Sequence, residues 1–116
     1  MTHTDPYLVV TEPTFKARFL LDPAADTEES VANIDVIVDL TDGSSWSLTI
    51  FTVDEVRRLL ELWRKTGETA HGSYFWASDQ LIVPAPGISA MTNAIRELVR
   101  SGDIAVAGSP VEIGQV

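Results

Sequence analysis

The strongest constraint in this sequence is a pair of alternating runs joined by a turn. Over 32–40, Ile34, Val36, Val38 and Leu40 fall on one side, and Asn33, Asp35, Ile37 and Asp39 on the other. Period two is the mark of a strand with one buried face. Asp42-Gly43 follows within Thr41-Asp-Gly-Ser-Ser, a pair that tolerates the positive φ of a tight hairpin turn. Trp46, Leu48 and Ile50 then resume the apolar side against Ser47 and Thr49. A β-hairpin is the expected product.

The same alternation marks a strand over 14–21, with Phe15, Ala17, Phe19 and Leu21 facing one way and Lys16, Arg18 and Leu20 the other. Residues 7–11 read as an extended lead-in that ends at Pro13. The polar stretch 22–30, with Pro23 and the carboxylates Asp22, Asp26, Glu28 and Glu29, reads as a mobile connector.

Thr52 opens a helix with a capping box, because Glu55 stands three residues on. Val53, Val56, Leu59, Leu60 and Trp63 follow at helical spacing, and Gly67 is placed for a left-handed stop. Asp54–Arg58, Arg57–Glu61 and Glu61–Lys65 are expected i,i+4 pairs. Beyond it, Tyr74-Phe-Trp76 and Gln80-Leu-Ile-Val83 suggest a second, short hairpin, which Pro84 and Pro86 end. A second helix begins near 87–89 with Ser89 as N-cap, carries Ile88, Met91, Ile95, Leu98 and Val99, and closes at Ser101-Gly102. Residues 104–106 suit a short edge strand.

The resulting order, β-β-β-α-β-β-α, predicts an α+β two-layer domain: an antiparallel sheet built from hairpins, with two helices packed on one face. The 116 residues suit a single domain. Its expected loose ends are a lead-in over 1–6 and a tail over 108–116.

Seventeen acidic against eight basic side chains give a net charge of −9. That balance argues against a phosphate-tracking nucleic-acid binder and against a polybasic membrane-surface protein. With no cysteine, the chain has no disulfide, thiolate zinc site or cysteine nucleophile. The first residues lack the charged and apolar regions of a secretory signal, and no apolar run approaches the roughly 18–20 residues of a membrane span. A cytoplasmic location is expected.

Catalytic motifs are not apparent. His71 is the only histidine away from the N-terminus, with Glu68 and Asp79 near it in sequence; a general base would need one of those carboxylates in contact. A solvated loop histidine is the simpler reading. Pro86-Gly-Ile-Ser89-Ala-Met91 lacks the second glycine of a nucleophile elbow. The acidic connector lacks the spacing and central glycine of a calcium loop. No catalytic residue, metal ligand or cofactor is assigned.

Two features point instead to protein binding. In Tyr74-Phe75-Trp76 the middle ring faces opposite to its neighbours, so Phe75 and the Tyr74/Trp76 pair look in different directions. Exposed tyrosine and tryptophan are enriched at interface hot spots. Second, the acidity is uneven: residues 1–45 hold nine acidic and two basic groups, and 46–116 hold eight and six. The excess lies in the connector and on the outer side of the first hairpin, at Asp35, Asp39 and Asp42. Such a segment can steer a basic partner, or can simply confer solubility.

The stretches IFTVDEVRRLLELWRKTGE at 50–68 and GSYFWASDQLIV at 72–83 resemble small bacterial domains, some of which are similar to immunity proteins encoded beside polymorphic toxins. The resemblance covers about a third of the chain and is one of texture. It implies a binder that neutralises a partner protein, and it carries over no catalytic residue.

The expectation is therefore a non-enzymatic, acidic, immunity- or antitoxin-like inhibitor of a basic protein, with Asp35, Asp39, Asp42, Tyr74 and Trp76 as candidate contacts. Two alternatives stand beside it: a structural homo-oligomer such as a homodimer, and a small-molecule or enzymatic role near His71.

Overall fold

A computed structural model describes residues 7–111 of the chain. The elements run β1 (Tyr7–Thr11), β2 (Phe15–Leu20), β3 (Asn33–Leu40), β4 (Ser45–Thr52), α1 (Val53–Thr66), α2 (Glu68–Gly72), β5 (Gln80–Val83), α3 (Ile88–Ser101), α4 (Ile104–Ala107) and β6 (Ser109–Pro110). The class is α+β: six strands form one sheet, made chiefly of antiparallel hairpins, with helices packed against it. β1 to β4 are neighbours in sequence order and pair antiparallel. β5 lies parallel to β4, an arrangement that needs a crossover, and α1 supplies it. β6 pairs with Trp46 and Ser47, below the start of β5 at Thr49.

Period two decides the core. Phe15, Ala17 and Phe19 of β2, Ile34, Val36 and Val38 of β3, and Leu48 and Ile50 of β4 are all buried on one face. Ile88, Met91 and Ile95 of α3 close over them. Burying each of these side chains other than Ala17 contributes on the order of 1.5–3 kcal/mol before the entropy of ordering is subtracted.

α1 takes a different position. None of its residues is buried, and none belongs to the core under α3. Trp63 of its apolar stripe stacks on Phe75 from the following loop, and Phe75 in turn meets Phe51, which faces away from Ile50 on β4. α1 thus packs apart from the core that α3 covers. Val53, counted on the stripe, is exposed.

The helix signals operate as read at α1. Thr52 Oγ1 accepts from Glu55 N at 3.0 Å, and Gly67, at φ 89°, donates its N–H to Trp63 O. Only half of the capping box forms, because the Thr52 amide is already bonded to Ala32 O and the Glu55 carboxylate turns to Arg58. The charge pairs close at i,i+3: Asp54–Arg57, Glu55–Arg58 and Glu61–Arg64. Both spacings are neighbours on a helix surface.

Several expectations are corrected. Residues 7–11 form a true edge strand. The connector is ordered by its own turns, with the amides of Ala25 and Asp26 on Asp22 O and those of Ser30 and Val31 on Thr27 O, and it buries Val31. It also starts α3: Gly87 N donates to Val31 O and Ile88 N to Glu28 O. Gly87 is the N-cap residue, Ser89 lies inside the first turn, and no side chain caps this helix. Residues 74–76 form no strand, and 104–106 turn helically. In the tail, 109–111 are tied to β4, Val111 N donating to Ser45 O. The lead-in over 1–6 and the end of the tail lie outside the described residues.

Candidate protein-binding surface

The face of the sheet opposite α3 is set by the same alternation. Across β1 to β4 the register aligns Val9 with Arg18, Arg18 with Ile37 and Ile37 with Ser47. One row over, Tyr7 is opposite Leu20, and Asp35 is opposite Thr49. On this face Phe75 packs edge-on against Phe51. Val9 and Leu20 are exposed and Ile37 is half-exposed, so apolar side chains stand among polar ones.

The three predicted aspartates occupy different environments. Asp39 is engaged by Arg18 Nε at 2.8 Å, a second Arg18 nitrogen at 2.9 Å and Ser45 Oγ at 2.7 Å. Burial works to raise its pKa, but these bonds and the charges of Arg18 and Lys16 outweigh burial and hold it below the ordinary value. The Arg18 guanidinium also lies over the Tyr7 ring, 5.5 Å from its centroid. Asp42 sits in the β3–β4 turn, exposed, accepting from Ser44 Oγ and Ser44 N, which lower its pKa. Asp35 is exposed on the open face and accepts only from Thr49 Oγ1, at 3.0 Å, among the described residues.

The acidic excess is therefore not one patch. Glu28 and Glu29 of the connector lie beside the start of α3, Asp42 is at the hairpin tip, and Asp35 faces out from mid-sheet. Asp39 is neutralised in place.

The loop over 73–79 supplies the rings. α2 makes its path: Thr69, Ala70 and His71 have φ of 51°, 49° and 61°, a left-handed turn costly for side-chain-bearing residues. The turn folds the chain back onto α1 so closely that a Cβ on Gly72 would stand 2.2 Å from Leu60 O. Phe75 then reaches Trp63, stacked at 5.7 Å, and Phe51, edge-on at 4.7 Å. Tyr74 and Trp76 are left 58% and 74% exposed. Exposure alternates along the three rings, although the strand expected to produce it does not form.

The loop ends at Asp79, which sequence reasoning considered only as a neighbour of His71. Its carboxylate accepts from Ser47 Oγ and Thr49 Oγ1, each at 3.0 Å, and its carbonyl accepts from Thr49 N. Asp79, Asp35, Thr49, Tyr7, Leu20 and Ile37 surround a shallow groove of about 380 Å³. The signal for this site was present in the sequence: Leu20 and Ile37 are apolar residues on the polar sides of two strands. His71 is exposed, its ring beside Gly67, and makes no hydrogen bond or ion pair with Glu68 or Asp79. Wider clefts flank α3, where Arg96 is already held by Glu12 and Asn93.

Among the described residues, no three histidine or acidic side chains are grouped to hold a metal ion. None of the described helices is long and apolar enough to cross a membrane. No protein-family model, curated protein or solved structure matches the chain.

Proposed function

We propose that this chain is a non-enzymatic protein-binding domain, an immunity- or antitoxin-like inhibitor that occupies a basic partner protein in the cytoplasm. The observation that carries the reading is the loop over 73–79, where Phe75, half-buried against Trp63 and Phe51, stands between two large exposed rings, Tyr74 and Trp76. Rings held in place lose little conformational freedom on binding, which favours them as anchors. The net charge of −9 supports a basic partner and opposes self-association.

The test is affinity purification of the tagged full chain from its native cell, compared with a Tyr74→Ala/Trp76→Ala variant of equal stability. A basic protein recovered in stoichiometric amount by the parent chain, and reduced at least about tenfold by the variant, is the expected result. Equal recovery by both chains overturns the reading.

A further inference from the structure

The groove between Asp35 and Asp79 has a specific chemistry. Both carboxylates are 3.0 Å from the same Thr49 hydroxyl oxygen. A hydroxyl carries one proton, so it donates to only one of them at a time. Ser47 Oγ serves the other oxygen of Asp79, and Asp35 has no further donor among the described residues. Among the described residues the guanidinium on this face, that of Arg18, is engaged by Asp39 and lies over Tyr7. The two carboxylates therefore compete for the Thr49 proton, and neither has a cationic side chain paired with it among the described residues.

The walls narrow what would complete the site. Leu20 and Ile37 present hydrocarbon beside the carboxylates. A hydrated metal ion prefers six or more oxygen ligands and gains nothing from these side chains. A long basic side chain uses both features, its methylenes against the apolar wall and its charged head at the carboxylates. The oxygens flank Thr49 on two sides, and a planar guanidinium with five donors can serve two acceptors at once, which a compact ammonium does less well.

We propose that this groove receives an arginine side chain of the partner protein, its guanidinium bridging Asp35 and Asp79 across Thr49. The proposal rests on the protein-binding reading above and names the contact chemistry of that surface.

The experiment uses the full ¹⁵N-labelled chain and a blocked pentapeptide, acetyl-Thr-Val-Arg-Val-Thr-amide, at low ionic strength. Citrulline and lysine versions serve as comparisons. Saturable chemical-shift changes are expected at Leu20, Ile37, Thr49 and Asp79, with no saturation for the citrulline peptide and weaker binding for lysine. Asp35→Asn, an exposed substitution that keeps the fold, should raise Kd roughly fivefold or more. Absence of saturable shifts, equal binding of the citrulline or lysine peptide, an unchanged Kd in Asp35→Asn, or shifts confined to the connector would each overturn the assignment. If the peptide fails while the native partner is still lost in the Tyr74→Ala/Trp76→Ala variant, only the arginine assignment falls. If the peptide binds while that variant retains its partner, the ring-anchored reading falls instead.

Discussion

Phe75 lies face to face with Trp63, ring centroids 5.7 Å apart and planes 9° from parallel. This stack, with the edge contact to Phe51, joins the loop to α1 and to the outer side of β4. Phe75→Ala should lower unfolding stability by about 2–4 kcal/mol. Urea unfolding followed by tryptophan fluorescence measures it, and a loss below about 0.5 kcal/mol would show that the rings do not hold the loop.

Gly72 tests the left-handed turn. An alanine there adds a Cβ against Leu60 O at φ +75°, whereas Gly43, at φ +91°, has open space around it. Gly72→Ala should cost roughly 3 kcal/mol or more, and Gly43→Ala only about 1 kcal/mol from the backbone preference. Equal shifts in Tm for the two variants would mean that the turn is free to move off α1.

Asp39 sets part of the acid sensitivity. Its folded pKa lies below the ordinary 3.8, so the folded state binds this proton less readily than the unfolded chain. The stabilisation it provides is complete well above 3.8 and is lost as pH falls through the lower folded value. Unfolding measured from pH 6 down to pH 2 should show a loss beginning near 4, and Asp39→Asn should lessen that slope while lowering stability at pH 6. An identical pH slope in the variant would remove Asp39 as its source.

The two outer-face aspartates should also separate kinetically. Asp35→Lys should slow association with a basic partner and weaken its salt dependence without unfolding the chain. Asp39→Lys places a cation against Arg18 and should appear first as lost stability. Stopped-flow association with the purified partner, beside thermal melts of both variants, distinguishes these effects.

Thr52 is buried and its hydroxyl oxygen is the one side-chain cap of α1. Thr52→Ala should cost about 1 kcal/mol in urea unfolding, and Thr52→Ser should recover most of it. Because the Thr52 amide is bonded to Ala32 O, Glu55→Gln should not disturb the cap.

Strand facing and helix limits were legible wherever local chemistry decides them. The alternation around Val36 and Leu48 gave the buried face, and Thr52 and Gly67 gave the ends of α1. What escaped depends on contacts between distant segments. Nothing near Ser89 reveals that carbonyls of Glu28 and Val31 take over the start of α3. The three rings at 74–76 have strand-like composition, but the left-handed turn before them sets their direction, and a run of Thr69, Ala70 and His71 gives no sign of such a turn. For the candidate surface, Tyr74 and Trp76 were found from composition. Asp79 was not, because its partners Ser47 and Thr49 stand about thirty residues earlier. Counting charge along the chain also overstated Asp39, since Arg18 reaches it only once β2 and β3 are paired.

The separation of α1 from the core under α3 has a mechanical consequence. A helix with no buried residue, held against the loop by Trp63 and Phe75, is expected to open as a unit smaller than the whole molecule. Its amides should exchange with solvent at a lower free energy than those of β2 and β3, through openings that leave the four-stranded meander intact. Tyr74 and Trp76 ride on that unit, whereas Asp35 belongs to the slow-exchanging sheet. A partner that touches both would clamp the two units together, and the protection it adds to α1 would report binding even where no shape changes.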